Sequence, residues 1–358
     1  MNATKTHFHT FDALRFFSFL IVFLHHSPFE KPAIVSFFTK SGGIGVLFFF
    51  VLSGFLITYL LLHEKMSTGT LSFKNFFIRR LLRIWPLFYA MILFAFLTPF
   101  FLSMLKLGFS GSGYQPDWLM SALFLENYKM MLTGDTPNVS PLTVMWSLDV
   151  EEHFYILWGL CLFLLPVRKI PYLIGVSVVL ANLTRIIYFN HDIKALDLFS
   201  NLDFFAFGGL VAWLLLYKNE VIQRLGIISK KRKNLIIFGI IFLVILNPHI
   251  HSDYVNLISL PIFAVLFSFI IAFTLCENNI LYISDKNIFS RLGIYTYGLY
   301  LIHTIVINFV IRISEVLPFT LNWLSGGLLA LLLTILLSML TYHLFEKQFL
   351  KLKRYFYR

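Results

Sequence analysis

Residues 44–63 read IGVLFFFVLSGFLITYLLLH, a run without a single Asp, Glu, Lys or Arg. About 20 mostly apolar residues suffice for an α-helix to cross the hydrocarbon core of a bilayer. Within the run, Ser53-Gly54 forms a notch that a second helix backbone can approach closely. The whole chain has this character, since 58% of its 358 residues are hydrophobic and only 13% are charged. Soluble domains carry about 25% charged residues, so the composition excludes a soluble enzyme, a disordered regulator and a disulfide scaffold.

Similar apolar runs recur along the chain, and together they predict an all-α, polytopic membrane bundle of about ten transmembrane helices. Period-2 alternation, the mark of a membrane barrel, is absent. We expect one transmembrane domain over residues 1–358. Its predicted spans are 10–29, 44–63, 84–105, 147–166, 171–190, 199–217, 234–248, 255–276, 293–313 and 321–345.

Ten spans place both termini on the same side of the membrane. Most of the 29 basic residues then fall in segments on that side. The positive-inside rule therefore predicts that both termini are cytoplasmic. The net charge of +11 follows from this topology and does not indicate nucleic-acid binding.

The first span carries ionisable side chains on one helical stripe. Asp12 and Arg15 are three residues apart and can pair. His26 lies eleven residues beyond Arg15, which returns it to within about 20° of the same direction, about 16.5 Å along the axis, whereas His25 points about 80° away. Ionisable groups inside a bilayer are costly, so the stripe indicates a functional site. The alternative is that Arg15 anchors the helix at the surface and the histidines cap its outer end.

A basic segment precedes the third span. Arg79 and Arg83 are four residues apart on one helical face, with Arg80 beside them. Guanidinium groups suit phosphates. From spacing alone, positive-inside anchoring or contact with lipid headgroups is the more usual explanation of such a cluster.

The fourth span opens with several ionisable residues in close succession. Ser147 is a good helix N-cap, and Asp149 in the first turn would then be favoured by the helix dipole at a water-facing end. Glu151, Glu152 and His153 follow, and they cannot all face water at once. We therefore expect Glu151 or His153 to point into the bundle.

Four motifs that contain these residues occur in order. They are Phe11-Asp12-Ala13-Leu14-Arg15 with ten residues to His26, the run 49–57 (FFVLSGFLI), Arg79-Arg80-x-x-Arg83-Ile84-x-Pro86, and Trp146-Ser147-Leu148-x-x-Glu151-Glu152-x-Phe154-Tyr155. Together they resemble the integral-membrane acyltransferase family often called acyltransferase type 3, which O-acylates sugars of lipopolysaccharide, exopolysaccharide and peptidoglycan. Two positions depart from the family pattern, His153 where Gln is common and Gln348 where Pro is usual.

The resemblance implies acyl transfer from cytoplasmic acyl-CoA, most often acetyl-CoA, to a hydroxyl of a cell-surface glycan or lipid-linked saccharide. It implies a multi-pass protein of the bacterial inner membrane. The family's essential histidine falls on His26, its arginine on Arg15 and its acidic residue on Glu151, and with Asp12 these are the candidate catalytic residues. The family's CoA-binding basic motif falls on Arg79, Arg80 and Arg83.

The residues themselves suit this chemistry. Acyl transfer needs a base for the hydroxyl and donors for the developing oxyanion. His26 is the imidazole on the Asp–Arg stripe, and histidine titrates near neutral pH. It serves either as the base or as the first acceptor of the acyl group. No metal is needed, and Cys161 and Cys276 lie in apolar runs that indicate no cysteine site.

The competing hypothesis is a transporter or flippase for a charged or glycosyl substrate, because intramembrane Asp, Arg, Glu and His also serve proton relays. The chain shows no inverted repeat and no matched pair of Gly/Pro-interrupted spans, which argues against a transporter. A membrane scaffold would leave the ionisable stripe unexplained. Acyl-CoA hydrolysis or transfer by the purified protein discriminates between these classes.

Overall fold

The computed structural model describes residues 8–104, 112–316 and 321–356, and over these ranges the chain is helical, without β-strands. Its long helices are α1 (His9–His26), α2 (Ile44–Thr68), α3 (Phe73–Met104), α4 (Leu142–Leu164), α5 (Ile170–Asn190), α6 (Leu198–Tyr217), α7 (Lys230–Leu246), α8 (Asp253–Leu275), α9 (Thr296–Val316) and α10 (Trp323–Thr341).

Shorter helical segments connect and extend these helices. They are the α-helices Ala33–Thr39, Trp118–Ala122, Glu126–Thr133, Asn219–Arg224, Ile288–Gly293 and Lys347–Leu352, the 3-10 turns Lys40–Gly43, Val167–Lys169, Leu225–Ile227, Asn247–His249 and Lys353–Phe356, and the π-helical turn Tyr342–Glu346.

Each predicted span coincides with a long helix, which confirms the all-α membrane bundle. Within the described residues, eight helices are long and apolar enough to cross a bilayer. Helices α1 and α4 are not among these eight, because the ionisable residues singled out above make them less apolar. Helix α3 begins at Phe73, ahead of the predicted span 84–105, so the arginines belong to the helix itself; residue 105 lies outside the described residues.

The chain divides into two compact units, of which the first comprises Met1–Tyr59 and Phe204–Tyr297. Here two glycines bring α2 and α6 into backbone contact. A Cβ atom at Gly54 would lie 2.1 Å from the carbonyl oxygen of Phe205, and one at Gly208 would lie 2.0 Å from that of Val51. Real Cβ atoms essentially never come within 3.0 Å of a non-bonded heavy atom of another residue. The notch predicted at Ser53-Gly54 is therefore confirmed.

The second unit comprises Leu60–Asp203 and Gly298–Arg358. Arg185 of α5 donates to both carboxylate oxygens of Asp203 at the start of α6, with 2.8 Å between Nη1 and Oδ2. Its Nε also donates to the carbonyl oxygen of Ser200 at 2.6 Å. The two charged side chains are 2% and 0% exposed. Because a lone buried charge is strongly destabilising, each partner makes burial of the other possible.

We expect Gly208→Ala to destabilise the protein, because its methyl group would collide with the backbone of α2. Overpacking of this kind costs about 1–3 kcal/mol. The measurement is the thermal unfolding midpoint of purified protein in detergent, which should fall by several degrees.

Gly239→Ala in α7 is the matched control, since a Cβ atom at Gly239 would meet no atom within 4 Å. Its midpoint should stay the same or rise, because alanine favours a helix over glycine by about 1 kcal/mol. Equal midpoints for both variants would contradict the close α2–α6 contact.

Candidate active site

In α1, Asp12 and Arg15 form the ion pair that their spacing predicts. Arg15 Nη1 donates to Asp12 Oδ1 at 2.6 Å, and both side chains are half-buried. Gly293 packs directly on this turn, since a Cβ atom there would lie only 1.9 Å from the backbone oxygen of Asp12. The helix Ile288–Gly293 thereby holds this end of α1 in place within the first unit.

His26 is the last residue of α1, and it is exposed. Lys31 Nζ donates to the carbonyl oxygen of Leu24 at 2.5 Å, so the chain after α1 folds back over its last turn. A reachable imidazole can take up a proton from a reactant, and a cation held on the same helical turn can stabilise negative charge on that reactant.

His25 serves the packing of α1 instead. Its Nδ1 lies 3.1 Å from the carbonyl oxygen of Thr39. Its Cβ atom lies against Gly42, where a Cβ atom would be 2.1 Å away. The two imidazoles are nevertheless neighbours, with 5.6 Å between their ring centres, so their different roles stay a prediction.

In the second unit, the arginines of α3 have different roles. Arg79 Nη2 pairs with Glu64 Oε2 at 3.0 Å, and its Nη1 donates to the carbonyl oxygen of Phe356 at 2.5 Å. The Arg80 guanidinium lies over the ring of Tyr155, 5.8 Å from its centre. Arg83 is exposed and makes no hydrogen bond or ion pair with a described residue. Arg79 is thus already engaged, and Arg83 is open to a ligand.

The expected helix start at Ser147 is wrong, because α4 begins at Leu142. Ser147 lies inside the helix, and its Oγ is 2.7 Å from the hydroxyl of Tyr300 on α9. Asp149 is therefore not in a water-facing first turn; it is fully buried, and its Oδ2 accepts from the backbone N–H of Asn127 at 3.2 Å. The N-cap prediction failed because the helix extends five residues beyond Ser147 toward its N-terminus.

The acids of α4 differ in burial in a way that the sequence did not indicate. Glu152 is 2% exposed, and its Oε1 accepts from Trp85 Nε1 at 3.0 Å. Glu151 is half-buried, and its Oε2 accepts from the Tyr155 hydroxyl at 2.6 Å. Glu152 and Asp149 therefore point inward, whereas Glu151 keeps partial access to its surroundings.

The partner of Asp149, Asn127, comes from a segment that the sequence analysis did not single out, and a further buried acid lies beside it. Glu126, also buried, accepts from the Tyr114 hydroxyl at 2.6 Å and from Ser121 Oγ. Burial and the neighbouring Glu126 carboxylate raise the pKa of Tyr114 above its ordinary value. The acids themselves could have indicated these partners in the sequence. Buried carboxylates require hydrogen-bond donors, and the 112–141 connection is rich in polar residues.

The first unit supplies a reachable imidazole and an Asp–Arg pair on the same helix, which are groups suited to acid–base chemistry. The second unit, taken by itself, supplies an unengaged guanidinium that suits an anion. Among the described residues, no group of three or more His, Cys, Asp or Glu side chains is placed to hold a metal ion.

Curated relatives of the chain are named O-acetyltransferases. It is 30% identical to the peptidoglycan O-acetyltransferase OatA of Listeria monocytogenes over 206 residues, which are 53% of this chain and 32% of that protein. It is 34% identical to the putative peptidoglycan O-acetyltransferase YrhL of Bacillus subtilis, over 44% of this chain and 25% of that protein. A putative O-acetyltransferase of Staphylococcus aureus is 29% identical over 49% and 29% of the two chains.

The match thus spans about a third or less of the length of these relatives. No solved structure matches the chain significantly. A family model described as an acyltransferase domain matches residues 8–343, nearly the whole chain and all the motifs above. This multi-pass helical membrane protein therefore belongs to the acyltransferase domain family, as its four ordered motifs predicted.

Proposed function

We propose that the protein is an O-acetyltransferase of the bacterial cytoplasmic membrane. It moves an acetyl group from cytoplasmic acetyl-CoA to a hydroxyl of a cell-surface glycan or lipid-linked saccharide. Family membership supports acyl transfer, and the names of two relatives suggest peptidoglycan as the first acceptor to examine. The observation that carries the proposal is the exposed His26 imidazole on the helix that also holds the Asp12–Arg15 pair.

In the proposed reaction, the acceptor hydroxyl oxygen bonds to the thioester carbonyl carbon and the carbon–sulfur bond breaks. The hydroxyl proton passes to His26 and ends on the sulfur of CoA, so no further reactant is required. Two routes satisfy this balance. His26 acts as the base for direct transfer, or its imidazole first takes the acetyl group and then yields it to the hydroxyl.

The Lys31 cation contributes to either route. It is tied to the last turn of α1 through the Leu24 carbonyl oxygen, two residues before His26. A fixed positive charge stabilises the oxyanion that develops on the thioester carbonyl without reorganising during the reaction.

We expect His26→Ala to abolish transfer of labelled acetyl groups from acetyl-CoA to glycan by purified protein in nanodiscs. Loss of a positioned base typically lowers a rate by about 10²–10⁴, while membrane insertion and abundance should stay normal because the side chain is exposed.

His25→Ala is the control. It removes the contact with Thr39 and should lower stability more than turnover. Equal losses of turnover, or a greater loss from His25→Ala, would contradict the assignment. A wild-type protein that carries a glycan across a vesicle membrane without acetylating it would favour the transporter instead.

We expect Glu151→Gln to reduce turnover severely without unfolding the protein. The amide keeps the shape and still accepts the hydrogen bond from Tyr155, but it removes the charge of the one partly accessible acid of this cluster. The measurements are the turnover number in the same assay and the unfolding midpoint.

Glu152→Gln is the matched control, because its amide oxygen can still accept from Trp85. It should keep most of the activity, and its buried side chain should show any change first in stability. Normal turnover of Glu151→Gln together with inactive Glu152→Gln would show that the functional carboxylate is on the other face of α4.

A further inference from the structure

The segment after α10 folds back onto α3. The π-helical turn Tyr342–Glu346, the helix Lys347–Leu352 and the final turn Lys353–Phe356 all pack against α3. Arg79 fastens the end of this segment through its 2.5 Å hydrogen bond to the carbonyl oxygen of Phe356. Glu64, which pairs with the same guanidinium, holds Arg79 in position. Arg79 therefore acts as an anchor for the final turn.

This fold-back places Lys353 in a strongly positive environment. Burial and the positive charges of Arg83, Arg80 and Arg79 lower the pKa of the Lys353 ammonium to about 6, and a bound anion would counter this shift by favouring the charged form. Such a grouping is unfavourable unless anions compensate it. Lys353 is half-buried, so water screens this repulsion less than it would at an open surface.

None of the carboxylates that act on these arginines forms an ion pair with Lys353 in the described part of the chain. Glu64 pairs with Arg79, Glu152 acts on Arg80, and Glu346 acts on Arg83 without a direct ion pair. Among the described residues, Lys353 forms no hydrogen bond or ion pair. Arg83 likewise forms no hydrogen bond or ion pair with a described residue, and its side chain is exposed. Two neighbouring cations thus present donors with no acceptor in this part of the chain.

We propose that Lys353 and Arg83 together bind a phosphate group of the CoA donor, with Arg79 as the positioning residue that holds the final turn. The turn that carries Lys353 packs on the helix that carries Arg83, and an ammonium together with a guanidinium supplies the donors that a phosphate dianion accepts in charge-assisted hydrogen bonds. The inference rests on the proposed function and refines it, because it adds a C-terminal lysine to the donor site and assigns Arg79 to support rather than contact.

The first test is equilibrium binding of CoA to the full chain in nanodiscs of neutral phosphatidylcholine. Lys353→Gln and Arg83→Gln should each weaken CoA binding about tenfold or more, as expected for the loss of a hydrogen bond between charged groups. Lys353→Arg should restore most of the affinity.

Lys351→Gln is the matched control, because Lys351 lies on the same tail, is exposed and donates to Gln348 Oε1 at 2.8 Å. Its affinity for CoA should change by no more than about twofold, as is usual for an exposed surface charge. CoA affinity that is unchanged in both Lys353→Gln and Arg83→Gln would overturn the inference and leave the proposed function standing. A wild-type protein that binds no CoA would overturn both.

A second comparison separates phosphate binding from a general disturbance of the tail. Acetyl transfer from S-acetylpantetheine, which lacks the nucleotide phosphates, should be the same in wild type and Lys353→Gln, whereas KM for acetyl-CoA should rise with kcat little changed. Equal losses with both donors would indicate a structural effect and contradict the inference. Affinity changes confined to nanodiscs with anionic phosphatidylglycerol would assign the two cations to lipid headgroups and also overturn it.

Discussion

The cost of leaving a charged group in an apolar medium is the constraint on which the rest of this structure depends. A helix that crosses a bilayer satisfies its own backbone, but an ionisable side chain must find a partner within the protein. Arg185 and Asp203 meet this requirement completely, since both are buried and joined by two hydrogen bonds. Asp149 and Glu152 meet it in part, through one donor each from Asn127 and Trp85.

Close approach of two helix backbones is a second feature of the packing. Where Gly54 and Gly208 remove two side chains, α2 and α6 meet backbone to backbone. Without a hydrophobic force between helices in lipid, contacts of this kind supply much of the packing energy. Helix α4 is also packed inside the protein. Its buried face includes the large rings of Phe154 and Trp158 as well as the acids Asp149 and Glu152.

Two of the residues proposed to act on the reactants are exposed, His26 in the first unit and Arg83 in the second. His26 ends α1 and is exposed, and Arg83 has no direct partner among the described residues. Arg79, by contrast, is engaged with Glu64 and the final turn. Three arginines that look equivalent in the sequence therefore separate into an anchor, a stacked side chain and an open cation. These three arginines differ in the hydrogen-bonding capacity that each has left for a ligand.

The sequence by itself determined the helices, because spans of apolar residues and their spacing depend only on local composition. It also determined the Asp12–Arg15 pair, which is set by helical geometry within four residues. Only the tertiary structure decided the burial of Asp149, the engagement of Arg79 and the place of Lys353 beside Arg83. Each of these depends on segments distant in the chain, such as Asn127 or Phe356, and the period of a single helix carries no information about which segment will pack against it.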